Sequence, residues 1–153
     1  MPAEITIFTD GSARGNPGPG GFGIVLISGH HRKEISEGYR HTTNNRMELL
    51  AVIVALESIK AENANITVYT DSKYVVDAIE KKWLFTWENK NFAGKKNRDL
   101  WEKFLKIYPK HSIRFIWVKG HASNTENIRC DELAVKASFQ VDLKEDSDYI
   151  ASL

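Results

Sequence analysis

Apolar positions change their period several times along the chain, and the changes mark its elements. Ile5-Thr6-Ile7-Phe8-Thr9 is a β-branched run stopped by Asp10-Gly11, which predicts a buried strand. Residues 11–23 are rich in glycine, with Pro17 and Pro19, and predict a turn. Residues 22–27 predict a second strand and 33–42 a third, the three forming an antiparallel meander. Thr43-Asn44-Asn45 then supplies capping side chains. Residues 46–60 follow as a helix that is apolar on most faces, hence largely buried. A fourth strand is predicted over 66–70 and a second helix from Ser72 to about Lys82. Residues 83–96 have no clean period and mix aromatics with lysine. Over 99–108, Trp101, Phe104, Leu105 and Tyr108 share one helical side, and Pro109 ends that helix. Residues 113–118 read as a fifth strand and 125–139 as a final helix. The order βββαβααβα predicts an α/β fold, a five-stranded mixed sheet flanked by helices.

Composition narrows this picture. A chain of 153 residues, 42% hydrophobic and 27% charged, suits one ordinary globular domain. That domain is expected over residues 1–140, and the acidic tail over 141–153 is expected to be disordered. The longest apolar run, 49–56, is too short to span a bilayer. Glu4 and the Thr-Asp-Gly turn argue against a signal peptide. Cys130 is the single cysteine, so no intrachain disulfide framework exists. A monomer in the cytoplasm is the expected setting. The net charge of +1 hides a split: residues 73–119 hold twelve Lys/Arg and five Asp/Glu, whereas 140–153 hold one Lys and four acids. A basic middle on a near-neutral chain suits a polyanionic partner.

Candidate chemistry lies in the carboxylates. Asp10 and Asp71 each stand where a buried strand runs out, a place that turn and cap aspartates also favour. Glu48 precedes the apolar Ala51 and Val52 on its helix and so faces a core, which is costly unless it is paired or ligates a metal. Asp131 lies early in the last helix. Four carboxylates brought together would repel one another and hold protons unless hard cations shared them. Mg2+ takes carboxylates together with waters and phosphate oxygens. A nucleotide-binding reading of Gly18-Pro19-Gly20-Gly21-Phe22-Gly23 fails, because the stretch leads into a strand and lacks a Lys-Ser/Thr ending.

Phe8-Thr9-Asp10-Gly11-Ser12, Thr43-Asn44-Asn45-Arg46-Met47-Glu48, Thr70-Asp71-Ser72, Trp117-Val118-Lys119-Gly120-His121, and Asn127 with Arg129-Cys130-Asp131-Glu132-Leu133-Ala134 form an ordered set. Together they resemble the bacterial type-one ribonuclease H family, from about residue 5 to 137. The resemblance implies an endonuclease that hydrolyses the RNA strand of an RNA–DNA hybrid. It implies two Mg2+ ions, with Mn2+ as a substitute, in-line attack of water, and 5′-phosphate and 3′-hydroxyl ends. Asp10, Glu48, Asp71 and Asp131 match the family's metal-binding catalytic carboxylates. His121 matches a loop histidine that assists proton transfer or product release, a role suited to a pKa near neutrality. Asn124 and Thr125 replace the His-Pro pair common after it, so the loop's mobility is expected to differ.

By the same resemblance, Gly11, Ser12, Asn16, Asn44 and Asn45 contact the substrate, reading its 2′-hydroxyls from the minor groove. Thr43 and Asn97 match a phosphate pocket for the DNA strand. Ser72, at a helix start, offers backbone N–H groups to phosphate. Contacts of this type carry little sequence information, so low sequence preference is expected. Residues 81–98 correspond to the family's basic protrusion. There Lys81, Lys82, Lys90, Lys95, Lys96 and Arg98 interleave with Trp83, Phe85, Trp87 and Phe92, a mixture suited to backbone tracking and stacking. Trp83, Lys90, Lys95 and Lys96 are the expected contacts, and Trp87 is expected to pack the protrusion onto its helix. The protrusion is shorter than the commonest bacterial form and carries Glu88, which predicts weaker affinity and a smaller salt slope. Two rivals share parts of this reading: a hybrid-binding module without catalysis, and a related metal-dependent DNA nuclease.

Overall fold

The computed structural model describes residues 2–119 and 124–153. Its strands are β1 (Glu4–Ala13), β2 (Gly18–Ser28), β3 (His31–Thr42), β4 (Asn65–Thr70) and β5 (Ser112–Trp117). Its helices are α1 (Asn44–Glu57), α2 (Lys73–Glu80), α3 (Trp83–Asn89), α4 (Arg98–Ile107), α5 (Thr125–Ser138) and α6 (Ser147–Ser152), with a 3-10 turn at Tyr108–Lys110. The sheet order is β3-β2-β1-β4-β5. β1, β2 and β3 pair as the expected antiparallel meander, and β4 joins β1 and β5 in parallel.

Alternation along the central strands separates two cores. Ile5, Ile7, Phe22 and Ile24 pack with Met47, Leu49, Val52, Ile53 and Leu56 of α1, in the large core that also holds Trp101 and Phe104 of α4. Their neighbours Phe8 and Val25 point to the other face and meet Cys130 and Leu133 of α5. This period of two, with both faces covered, explains why β1 reads as almost continuously apolar. α1 is apolar on most sides because it lies between the sheet and α4.

Two segments differ from expectation. Residues 83–96 contain a short helix, α3, whose weak period reflects its role: Leu84 is buried while Trp83 remains 46% exposed. The acidic tail, expected to be disordered, folds back instead. Lys144 donates from its backbone N–H to the carbonyl of Gly38, and its own carbonyl accepts from Arg40. The Lys144 ammonium also pairs with Glu37, and α6 follows, capped by Asp146. Composition misleads here because specific pairing along the edge of β3, together with one buried ion pair, offsets the tail's low hydrophobicity.

Candidate active site

Parallel pairing of β1 with β4 sets Phe8 opposite Tyr69. Two residues further on, both chains leave the ladder, so Asp10 and Asp71 emerge side by side at the same sheet end, where open α/β sheets form sites. Gly11 brings in the third group. A Cβ built there would lie 2.4 Å from the Met47 carbonyl carbon and 2.5 Å from the Glu48 nitrogen. Absence of a side chain at Gly11 thus lets α1 approach β1 closely enough to deliver Glu48. Ligand atoms of Asp10, Glu48 and Asp71 lie within 4.8 Å of one another. On the opposite face Cys130 Sγ lies 3.2 Å from the Phe8 carbonyl oxygen. Asp131, the next residue, acts electrostatically on Asp10. Three of the four expected carboxylates therefore converge, and Asp131 stands close enough to Asp10 to raise its pKa.

The site is acidic and poorly compensated. Burial pushes the Asp10 carboxyl up to about 8, with repulsion from Asp71, Asp131 and Glu48 adding to it and the Gly11 amide opposing it. That amide donates to Asp10 Oδ1 at 2.9 Å. Burial likewise raises Glu48 to about 7, opposed by a hydrogen bond from Ser72 and assisted by repulsion from Asp71. Asp71 Oδ1 is buried without a hydrogen-bond partner among the described residues. Such an atom is costly unless something else engages it. A converging set of hard oxygen donors with one unengaged buried oxygen fits a divalent cation of the Mg2+ class.

Around this centre the chain supplies fixed supports. Trp117 donates its indole N–H to the Asp71 carbonyl at 3.1 Å, and the Lys73 ammonium lies 4.6 Å above the same ring. Ser72 caps α2. Its hydroxyl accepts from Val75 N–H at 3.2 Å, and its own N–H donates to Thr70 Oγ1 at 3.1 Å. Ser72 is therefore a helix cap and a partner of Glu48, and its own amide is engaged by Thr70. Gly11 is buried against α1, whereas Ser12 is half-buried at the end of β1.

A second concavity lies beside the acidic centre. It encloses about 910 Å³ and gathers Asn16, Thr43, Asn44, Asn45, Lys95, Lys96 and Asn97, all expected substrate contacts. Thr43, rather than the two asparagines, caps α1, accepting from Arg46 N–H at 3.2 Å. Asn44 ties α1 to the sheet instead: its side-chain oxygen accepts from Ala13 N–H, and its N–H donates to Asn16 Oδ1 at 2.9 Å. Asn45 is exposed in this concavity.

The protrusion is only partly a stacking surface. Phe92 is buried at 6% exposure, with the Arg98 guanidinium over its ring. Trp87 meets Trp101 edge-on at 6.0 Å, as expected of a packing residue, while the Lys95 ammonium lies 5.0 Å from the centroid of the Trp87 ring. Trp83 remains open, with Lys81 5.2 Å from its ring, and Lys90 is exposed. His121 lies outside the described residues. Arg46 and Asp146 escaped sequence reasoning as site-forming residues. A buried arginine at 3% exposure, with Asp99 and Asp146 on either side, has no local sequence signal beyond the motif that contains it.

Comparison with known proteins agrees with this geometry. The RNase H family profile matches residues 2–139. The ribonuclease H of Desulforamulus reducens is 54% identical over 148 residues, covering 94% of this chain and 92% of its own. That of Proteus mirabilis is 50% identical over 157 residues, covering 99% and 97%. Among solved structures, LC9-RNase H1, a type 1 RNase H with the type 2 active-site motif, superposes with a TM-score of 0.80 at 28% identity, covering 90% of this chain and 73% of that one. LC11-RNase H1 in complex with an RNA/DNA hybrid superposes with a TM-score of 0.65 at 31% identity, covering 87% and 95%.

Proposed function

Since the chain belongs to the ribonuclease H family, we infer that Asp10, Glu48, Asp71 and Asp131 share two Mg2+ ions, with Mn2+ as a substitute, and that this centre carries out the family's reaction. The activity is endonucleolytic hydrolysis of the RNA strand of an RNA–DNA hybrid. One observation carries the assignment of the centre: three carboxylates from β1, α1 and the end of β4 converge within 4.8 Å, and none of the three forms an ion pair among the described residues.

When bound, the ions supply the positive charge that activates water and stabilises both the attacking and leaving oxygens of an in-line displacement. The protein does the rest. Asp10 and Glu48 release the protons that burial and mutual repulsion keep on them. Ser72 holds Glu48 by its hydroxyl, and Trp117 holds the Asp71 backbone. His121 serves as the proton shuttle that assists turnover, and the products carry 5′-phosphate and 3′-hydroxyl ends. Gly11, Ser12, Asn16, Asn44 and Asn45 meet the hybrid near its 2′-hydroxyls, with Gly11 limited to its backbone. Thr43 and Asn97 take a DNA-strand phosphate, with Lys95 and Lys96 beside them. Trp83 and Lys90 extend the contact along the protrusion. Contacts of this kind read shape and charge, so cleavage follows hybrid structure more than base sequence. A cytoplasmic monomer is the setting assumed, and no described helix is long and apolar enough to cross a membrane.

End-labelled RNA–DNA, RNA–RNA and DNA–DNA duplexes of one sequence, incubated in Mg2+ and in EDTA, test the reading. Metal-dependent cutting of the RNA in the hybrid alone is expected. Hybrid binding without cutting would indicate a binding module, and cutting of the DNA duplex would indicate a DNA nuclease.

A further inference from the structure

Asp146 is remote in sequence from the proposed phosphate contacts, yet it is bonded to the supports of both. Its Oδ2 accepts from Thr42 Oγ1 at 2.7 Å, and Thr42 immediately precedes Thr43. The same carboxylate receives Arg46 Nε at 2.8 Å and Arg46 Nη2 at 3.1 Å. Arg46 then crosses to the other wall. Its Nη1 donates to Asn97 Oδ1 at 3.2 Å, and its two terminal nitrogens hold Asp99 at 2.9 and 2.7 Å. These bonds use all five N–H groups of the guanidinium, so Arg46 has no donor left for a substrate phosphate. It is a rigid plate between the walls.

Asn97 is held from its other end as well. Its amide donates to Tyr74 Oη at 3.1 Å, and the same oxygen accepts from Trp101 Nε1 at 2.9 Å. The Asn97 backbone has a φ of 64°, a left-handed conformation that keeps its side chain at the mouth of α4. The segment that brings Asp146 also reaches the cleft directly: Asp148, Tyr149 and Ser152 line the concavity that contains Thr43 and Asn97, and the Tyr149 ring lies 5.7 Å from the Arg46 guanidinium.

We propose that Asp146 is a positioning residue for hybrid binding: by clamping Thr42 and orienting Arg46 against Asn97, it sets the spacing between Thr43 and Asn97 that accepts a DNA-strand phosphate. This rests on the reading of Thr43 and Asn97 as phosphate contacts. A position set by five shared hydrogen bonds transmits small displacements to both walls, because a packed, fully bonded arginine cannot shift towards one partner without leaving another.

The experiment is steady-state cleavage of a hybrid by Asp146→Asn, Thr42→Val, Thr43→Ala, Asn97→Ala and the Asp146→Asn/Asn97→Ala double variant, at a temperature where circular dichroism shows each to be folded. Thr42→Val keeps the Arg46–Asp146 pair and serves if Asp146→Asn does not fold. Asp146→Asn and Thr42→Val are expected to raise KM about fivefold with little change in kcat, as expected for lost uniform binding. The double variant is expected to be no worse than Asn97→Ala, because both changes act on one contact. Lowered thermal stability with unchanged KM, or full additivity in the double variant, would overturn the proposal while leaving the phosphate pocket intact. Unchanged KM in Asn97→Ala and Thr43→Ala would overturn the pocket itself, and the positioning role with it.

Discussion

Arg46 and Glu48 are two residues apart at the start of α1, and the helix sends them to nearly opposite sides. Each enters a group of buried charge, and the two groups are treated in opposite ways. Around Arg46 the protein completes its own electrostatics: Asp99 and Asp146 flank the guanidinium, and every donor is used. Burial works against the Asp99 charge, but the hydrogen bonds and attraction of Arg46 outweigh it and hold that carboxyl below the usual range. Around Glu48 the protein assembles like charges, and Asp10 and Glu48 are driven the other way, to about 8 and about 7. A self-balanced charge group favours folding. An unbalanced one sacrifices stability and becomes a receptor for whatever supplies the missing charge. The start of α1 thus separates the scaffold from the proposed reaction centre.

The sharpest division of the two groups comes from their simplest substitutions. Asp10→Asn alters a proposed metal ligand and is expected to lower cleavage by about 10³-fold or more through the loss of several kcal/mol of charge stabilisation. Hybrid binding is expected to survive, since the phosphate contacts remain. Cleavage near the parent rate in saturating Mg2+ would break the assignment of the centre. Asp146→Ala is expected to act on the fold: leaving Arg46 buried without that partner costs about 3–5 kcal/mol, read as a drop in the denaturant midpoint. A near-neutral result would mean that the Arg46 group contributes little beyond geometry.

The proton shuttle assigned to His121 is tested by His121→Ala, expected to slow turnover by about 10²-fold without abolishing it. Complete loss under single-turnover conditions would show that the imidazole is more central.

A smaller effect distinguishes the groups by pH. Without metal, folded Asp10 keeps its proton up to about pH 8 and Glu48 to about pH 7, whereas unfolded carboxylates lose theirs near pH 4. Between those limits the folded state binds more protons, so stability falls as pH rises from about 4 to 8. Asp99 contributes in the opposite sense, its stabilisation being lost on acidification. Thermal melts in EDTA should therefore decline over the neutral range, and Asp10→Asn should flatten that decline. Mg2+ competes with the protons, so half-saturating Mg2+ should fall as pH rises towards 8. A flat melt profile in the parent protein would argue against the burial and repulsion that raise Asp10 and Glu48.

Trp83→Ala is expected to have the smallest effect, a KM rise of a few-fold for loss of one stacking surface. Trp87→Ala, by contrast, should lower stability, because Trp87 packs on Trp101.

Much of this was legible in order along the chain. Strand and helix periods follow from which face each residue buries, so β1 to β5 and the principal helices were readable from apolar spacing. The carboxylates were singled out by the ordered motifs around them, which resemble one family: Asp71 directly follows β4, Asp10 lies in β1 just past its pairing with β4, Glu48 lies in the second turn of α1 and Asp131 midway along α5. Boundaries failed where local pattern and tertiary role diverge. β1 continues through Asp10 and Gly11 to Ala13 because its partner strand β2 continues beside it. α3 was missed because its aromatics serve the core, the Lys-rich surface and its own packing at once.

What the sequence by itself determined was local: the alternation that makes strands, the capping threonine before α1, the acids at strand ends, and the glycine that admits a helix. What only the tertiary structure decided was which distant charges share a low-dielectric space. Nothing in the acidic composition of residues 141–153 reveals that Asp146 lies against Arg46, and nothing local shows that Ser72 bonds to Glu48. Charge pairing across the fold depends on separation and burial, and those are set when the elements pack, not by their order along the chain.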